Sequence, residues 1–277
     1  MIILDGKKLA EEILKRLKKE AEGLLPIRLA VVLIGRDPVS LNYIKQKQKT
    51  AERIGVDFIL YRFKNDISEK QIVNRIKKII KNKVNNGIVV QLPLPKHINE
   101  QKILNLIPKE KDADALSVDN HLVEPPTASG IMEILKEYGI KIKKKRVVII
   151  GKGKLVGKPL AILIKKTGAN LVICDRKTKN IVEQTKKADI LISATGRSNL
   201  VKGNMIKNGA VVIDAGFIRC KTKDGKYKIT GDVDFEKVKE KAGYITPVPG
   251  GVGPMTVAML FNNLIKLVKI KFKNKTI

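Results

Sequence analysis

Residues 147–161 read Val147-Val148-Ile149-Ile150-Gly151-Lys152-Gly153-Lys154-Leu155-Val156-Gly157-Lys158-Pro159-Leu160-Ala161. Four β-branched apolar residues run straight into a glycine, and an amphipathic helical pattern opens at Gly157, so the stretch predicts strand, glycine turn and helix in succession. The free N–H groups and dipole of a helix start favour an anion, and glycines let a phosphate approach the main chain. The spacing of Gly151, Gly153 and Gly157 is one residue longer than the common dinucleotide fingerprint. Its weight therefore comes from the strand before it and the helix after it. On this reading a dinucleotide lies at the turn and is sensed at the end of the next strand, Cys174-Asp175-Arg176-Lys177. An acid there suits the ribose hydroxyls of NAD, whereas adjacent cations suit the extra phosphate of NADP. Asp175 argues for NAD and Lys152, Arg176 and Lys177 for NADP; the three cations outweigh the acid, so NADP is expected and NAD stays open.

Outward from this stretch, strands and helices alternate along most of the chain. Downstream come strand Asn170–Cys174, a helix reaching Lys187, and strands Ile190–Ser193 and Ala210–Asp214, a doubly wound arrangement. Upstream, residues 7–22 repeat Leu9, Ile13 and Leu17 at helical spacing. Strand Arg28–Ile34, helix 39–54, strand Val56–Phe63, helix 68–82 behind a capping Ser68, and strand Gly87–Gln91 follow. That last strand stops abruptly at Leu92-Pro93-Leu94-Pro95. Between residues 108 and 127, Pro108, Asp112, Asp114, Asp119, Pro125 and Pro126 break regular structure before a helix near Thr127, which sets a domain boundary. A final helix from Met255 to about Lys269 follows a Pro/Gly-rich segment and is expected to return to the first domain. The expected fold is α/β in two domains: a β-α repeat domain over 1–120, completed by a C-terminal helix over 255–277, and a Rossmann-type nucleotide-binding domain over 121–254.

Composition narrows the function classes. With 277 residues, 43% of them hydrophobic, the chain can bury two cores. No run approaches the roughly 20 apolar residues of a membrane span, and the start MIILDGKK lacks the order of a signal peptide, so a cytoplasmic protein without membrane partners is expected. Cys174 and Cys220 have no His or Cys at zinc-ligand spacing, so both are expected reduced, with no metal. The 56 Lys+Arg against 27 Asp+Glu give a net charge of +29, a value that in a small domain suggests nucleic acid. The lysines instead recur in almost every predicted helix, cluster at junctions such as Lys141 to Arg146, and lack interleaved aromatics on which bases would stack. A solvated basic surface is the better reading, with no nucleic-acid partner and an attraction for phosphorylated cofactors or polyglutamyl tails.

Several side chains stand where chemistry needs them. Tyr43 and Lys47, four apart on one helix, project from one face. Gln91 offers an amide at a strand end, and Asp112 and Asp114 share a loop in which two carboxylates alone do not make a metal site. Each is unremarkable alone. Thr246-Pro247-Val248-Pro249-Gly250-Gly251-Val252-Gly253-Pro254-Met255-Thr256 is the most distinctive segment: three glycines between prolines make a stiff, sterically bare loop at a helix start.

In this order these segments resemble the bifunctional methylenetetrahydrofolate dehydrogenase/methenyltetrahydrofolate cyclohydrolase family along nearly the whole chain. Asp37-Pro38-Val39-Ser40 with Tyr43 and Lys47 looks like its catalytic helix, Val90 to Pro95 like its second motif, and Lys111-Asp112-Ala113-Asp114 like its acidic folate-binding loop. Val156 to Leu160, Gly231-Asp232-Val233 and Pro247 to Thr256 are also similar. The resemblance implies that Lys47 handles protons, positioned by Tyr43 and Gln91, and that Asp114 holds the amino-pyrimidine of the pterin. It implies substrate contacts from Val90, Leu92, Pro249, Gly250, Gly251, Val252 and Gly253, and cofactor contacts from Gly151, Lys152, Gly153, Asp175, Arg176, Lys177, Thr195, Gly196 and Phe217. It also implies a folate cleft between the domains, a homodimer, and a place in one-carbon metabolism and purine biosynthesis. The implied activity is oxidation of 5,10-methylenetetrahydrofolate followed by hydrolysis to 10-formyltetrahydrofolate.

Four departures from the family pattern stand out. Ala115 replaces the usual glycine after the second acid, Gly151-Lys152-Gly153 replaces Gly-Arg-Ser, Asp175-Arg176 replaces His-Ser, and Pro125-Pro126-Thr127-Ala128 replaces Pro-Cys-Thr-Pro. Asp175 and the altered turn motivate a rival, an NAD-linked dehydrogenase with little cyclohydrolase. The charge alone motivates a more distant one, a basic nucleic-acid-binding protein on an enzyme-like fold.

Overall fold

The computed structural model describes residues 1–273 apart from Leu25, Asp119, 222–224 and Lys226. Asp119 among the expected breakers, and residues 274–277 of the expected last helix, lie outside the described residues. In chain order the elements are β1 (Ile2–Ile3), α1 (Gly6–Glu22), β2 (Arg28–Ile34), α2 (Pro38–Arg53), β3 (Asp57–Phe63), α3 (Glu69–Lys81), β4 (Gly87–Val90), α4 (Glu100–Leu104), α5 (Pro126–Glu137) and β5 (Arg146–Ile150). There follow α6 (Gly157–Lys165), β6 (Asn170–Cys174), α7 (Ile181–Lys186), β7 (Ile190–Ser193), β8 (Val211–Asp214), β9 (Ile218–Lys221), β10 (Tyr227–Thr230), α8 (Phe235–Val238), β11 (Tyr244–Ile245) and α9 (Val252–Lys273).

The chain packs as two compact units, Glu11–Pro126 with the chain from Val257 onward, and Met1–Ala10 with Thr127–Thr256. The first holds a three-stranded parallel sheet in the order β3-β2-β4. Strand β2 is central and buried from Leu29 to Ile34, which is why it reads as an unbroken apolar run. Ile72, Ile76 and Ile79 of α3 recur at one face and pack with Val32, Ile88 and Val90; each such side chain contributes about 1.5–3 kcal/mol by leaving water. Helix α3 starts where Ser68 and Gln71 form a reciprocal capping box.

The second unit holds six parallel strands in the order β1-β11-β8-β7-β5-β6. The strand order reverses between β5 and β7. Its first ten residues belong here because β1 pairs with β11, and strands of two residues carry no readable periodicity. The antiparallel pair β9-β10 also escaped the sequence reading, being short and half exposed. Helix α9 begins three residues before the expected Met255, since Pro254 falls in the first turn, where a missing N–H costs nothing.

Two local features carry energetic consequences. Ala115 has φ +53°, the left-handed region that glycine occupies freely and that costs an L-residue about 1–2 kcal/mol. At the C-terminal end of β8, buried Asp214 accepts from the N–H groups of Gly216 and Asp232 at 2.8 and 3.0 Å and of Val233 at 2.9 Å. A Cβ on Gly231 would collide with that carboxylate. Burial pushes the Asp214 carboxyl up to about 6, against the opposing pull of those three N–H groups.

We expect Ala115→Gly to stabilise the protein by about 0.5–1 kcal/mol, the relieved strain less the added chain entropy, read as a later urea midpoint; an earlier midpoint would show the position to be unstrained. A carboxyl whose folded pKa is raised favours the folded state fully below its unfolded pKa of 3.8 and loses that contribution as pH rises through about 6. Relative to non-titrating Asp214→Asn, wild-type stability should therefore fall by about 3 kcal/mol between pH 3 and 7. Parallel curves for the two proteins in denaturant titrations would refute this.

Candidate active site

Helix α2 begins at Asp37, whose carboxylate accepts from Ser40 N–H at 2.7 Å, with Pro38 in the first turn. Its buried face is Ser40, Ile44, Lys47, Thr50 and Ala51. A lysine thus occupies a position of the buried stripe, where an apolar residue would be the ordinary choice. Lys47 is 7% exposed, and Nζ donates to Gln91 Oε1 at 3.1 Å and lies 4.0 Å from Asp114 Oδ2.

Each neighbour is itself fixed. Gln91 follows β4, its N–H bonded to Val32 O at 2.9 Å, and its Nε2 donates to Leu92 O at 2.9 Å. Ser40 Oγ donates to the same carbonyl at 3.2 Å, which ties α2 to the strand end. Leu92-Pro93 is cis. The acidic loop continues the sheet: Ile88 N–H donates to Lys111 O at 2.7 Å, and Lys111 Nζ caps the end of α3 at Ile80 O and Asn82 O. Asp112 is occupied by Ser117, accepting from its N–H and Oγ at 2.9 and 2.7 Å, so it is a structural residue. Asn263 of α9 donates from Nδ2 to Ala113 O and Glu124 O at 3.0 and 2.8 Å, pinning the residue between the two acids. Asp114 is left facing Lys47. Its carboxyl is raised by burial, lowered in part by Lys47, and raised again by Asp112. Burial also pushes Tyr43, one turn before Lys47, up to about 12, so it keeps its hydroxyl proton. The arrangement offers one ammonium, one amide and one carboxylate at fixed positions, suited to moving protons on a polar substrate.

In the second unit the expected cofactor residues follow the C-terminal ends of β5, β6 and β7 and, for Phe217, of β8, on the side of the sheet where nucleotides bind at a reversal of strand order. Gly151 has φ +106°, and its N–H donates to Cys174 O at 2.8 Å. A Cβ there would strike Ala194 O, and one on Gly157 would strike Gly151 O, whereas one on Gly153 would meet nothing within 4 Å. Gly151 and Gly157 are thus required by packing, and Gly153 leaves space over the helix start, where no side chain caps α6. These features fit a dinucleotide pyrophosphate. Asp175, Arg176 and Lys177 are exposed, and Asp175 Oδ1 accepts from Lys177 N–H at 2.9 Å within its own turn. Thr195 is held by Asp232, which accepts from its N–H and Oγ1 at 2.6 and 2.9 Å. Gly196 is exposed, and Phe217 half-buried.

The glycine-proline segment also lies in this unit. Gly250 has φ +116°, its carbonyl accepts from Lys7 N–H at 2.8 Å, and a Cβ on Gly251 would press on Pro247 O and Thr246. Gly253 is open. Val90 and Val252, expected at the substrate, are buried at 2% and 4%, so their side chains serve the core. Leu92 is half-buried and Pro249 exposed. Asn263, Ser117 and Asp214 escaped the sequence reading, and Asp232, though inside the matched Gly231-Asp232-Val233, was given no role there. A signal existed for Asn263, an amide within the apolar helix Leu260-Phe261-Asn262-Asn263-Leu264-Ile265. Among the described residues no group of three His, Cys, Asp or Glu gathers as metal ligands would, and no helix is long and apolar enough to cross a membrane.

The tetrahydrofolate dehydrogenase/cyclohydrolase catalytic-domain model matches residues 4–114, and the NAD(P)-binding-domain model of the same family matches residues 125–272. Bifunctional protein FolD of Aquifex aeolicus is 46% identical, over 98% of this chain and 96% of that one. Among solved structures, the bifunctional FolD dehydrogenase/cyclohydrolase of Campylobacter jejuni superposes with a TM-score of 0.93 at 39% identity, covering 98% and 99% of the two chains. The Trypanosoma brucei enzyme, complexed with NADP cofactor and inhibitor, gives 0.93 at 33% identity and 99% coverage of both. With both domains matched and full-length relatives at this identity, the chain belongs to the tetrahydrofolate dehydrogenase/cyclohydrolase family.

Proposed function

We propose that this chain oxidises 5,10-methylenetetrahydrofolate to 5,10-methenyltetrahydrofolate with NADP and then hydrolyses the product to 10-formyltetrahydrofolate. The observation that carries the reading is the buried Lys47 ammonium bonded to Gln91 beside Asp114. In the oxidation, Asp114 accepts hydrogen bonds from the amino-pyrimidine, and Tyr43, Lys47, Gln91 and Leu92 orient the bridging methylene, with Pro249, Gly250, Gly251, Gly253 and the main chain of Val90 and Val252 completing the substrate contacts. NADP, when bound, supplies the hydride acceptor. In the hydrolysis, water adds to the methenyl carbon and loses a proton, the carbon–N5 bond breaks, and N5 gains a proton. Lys47 assists these transfers, and Gln91 keeps its Nζ directed at the reacting carbon.

For the cofactor, Gly151, Gly153 and the start of α6 hold the pyrophosphate, and Thr195, Gly196 and Phe217 complete the contacts. Lys152, Arg176 and Lys177 take the additional phosphate. Asp175 favours NAD only if its carboxylate is free for a ribose, and one of its oxygens is engaged with Lys177 N–H. NADP is therefore the better reading, and the NAD-linked rival loses its main support.

The product places the enzyme in one-carbon metabolism, supplying formyl groups for purine biosynthesis in the cytoplasm. The +29 charge favours polyglutamylated folates as substrates, without nucleic acid as a partner. We also propose a homodimer: β6 is an edge strand with Ile173 38% exposed, and neighbouring helices α6 and α7 carry Ile162 and Val182 at 60% and 38%.

The test is purified protein with methylenetetrahydrofolate and each dinucleotide, followed for reduced cofactor and for transient methenyl compound. Lys47→Ala should lower cyclohydrolase turnover at least about a hundredfold while folate still binds; undiminished hydrolysis by that variant sinks the assignment. Arg176→Ala should raise KM for NADP about tenfold and leave KM for NAD unchanged. Equal effects on both would remove Arg176 from phosphate recognition.

A further inference from the structure

We infer that Asp232 is a positioning residue for the dehydrogenase step, fixing the turn Thr195–Arg197 on which dinucleotide binding depends; the inference rests on the functional reading above. Asp232 is fully buried in the second unit and has no cationic partner among the described residues. Its Oδ2 accepts from Ser193 Oγ at 2.7 Å, Thr195 N–H at 2.6 Å and Thr195 Oγ1 at 2.9 Å, and its Oδ1 accepts from Arg197 N–H at 2.9 Å. Four donors from one short stretch therefore converge on a single side chain. Only a group that accepts on both ends and never donates can serve them all, and a carboxylate is that group.

The stretch so held leaves the C-terminal end of β7, beside Gly151. Thr195 Cγ2 lies in contact range of any Cβ built on Gly151, so the Asp232-bound turn adjoins the glycine turn expected to carry the pyrophosphate. Asp232 is held in its own place by Asp214, which accepts from its N–H, while Asp214 N–H donates to Thr246 Oγ1 at 2.7 Å. Gly216 cannot carry a Cβ because it would strike Asp232 Oδ1. A chain of bonds thus runs from β11 through β8 to the cofactor turn. A carboxylate buried without a countercharge is costly, and here the N–H and O–H groups of a ligand-facing turn supply what an ammonium would otherwise supply.

The two expected activities of one chain make the test internal. Hydrolysis of methenyltetrahydrofolate uses no dinucleotide, and Lys47, Gln91 and Asp114 all lie in the other unit. Asp232→Asn turns an amide N–H₂ toward at least one of the four donors. We expect NADPH, titrated by its nicotinamide fluorescence, to bind about tenfold or more weaker. KM for NADP should rise in step, with kcat at saturation and cyclohydrolase turnover little changed. Unaltered NADPH binding, or a parallel fall in both activities, overturns the inference. If Asp232→Asn does not fold, Ser193→Ala, fully buried and out of a ligand's reach, should still raise KM for NADP a fewfold and spare kcat; an unchanged KM refutes it. Wild-type protein that binds neither dinucleotide would overturn the functional reading, and the inference with it.

Discussion

The structure of the first unit depends on keeping one ammonium group out of water. Lys47 stands in the buried stripe of α2 between Ile44 and Ala51, where its charge must be compensated locally or the helix would roll it outward. Compensation comes from an amide at the end of β4 and a carboxylate in the loop that follows α4. Both partners are then constrained by others: Gln91 by Val32 and Leu92, and the acidic loop by Ile88, Ser117 and Asn263. The requirements of a single charge thus order a strand end, a cis-proline turn, a loop and part of the last helix.

The second unit solves a related problem with opposite sign. Asp214 and Asp232 are buried carboxylates without lysine or arginine against them among the described residues, in a chain that carries 56 such cations. Surface lysines cannot reach the ends of buried strands without a heavy desolvation cost, whereas main-chain N–H groups are already there. The carboxylates consequently organise backbone rather than pair with side chains. Glycines at 216 and 231 are the steric condition for it, since a methyl group at either would occupy the carboxylate's place.

Much of this was legible in the sequence. The strands β2, β5, β6 and β7 announce themselves as β-branched runs, and Ser68 and Gln71 mark the start of α3 by their spacing alone. Tyr43, Lys47, Gln91 and Asp114 are recognisable only together, through resemblance, because a lysine among so many has no individual signal. What escaped has physical reasons. Two-residue strands have no period. Val90 and Val252 have side chains buried in the core, which their places in the matched motifs do not announce. Asn263 acts on backbone atoms of residues 139 and 150 positions away and Asp232 on backbone atoms 35 and 37 positions away, and no local pattern encodes such a partner.

The same distinction between local and distant partners bears on the cofactor. Read as letters, Asp175 next to Arg176 is a contradiction, an acid for NAD beside a cation for NADP. In the fold the acid spends one oxygen on its own turn, accepting from Lys177 N–H, while Thr178 Oγ1 accepts from Asp175 N–H. That geometry makes Asp175 a residue that shapes the loop. Arg176 and Lys177 remain exposed at its tip, and a phosphate approaching them meets two positive side chains with the nearest negative charge already hydrogen-bonded. The departure from the family's His-Ser is then a change in how the loop is built, one that leaves two cations exposed at its tip.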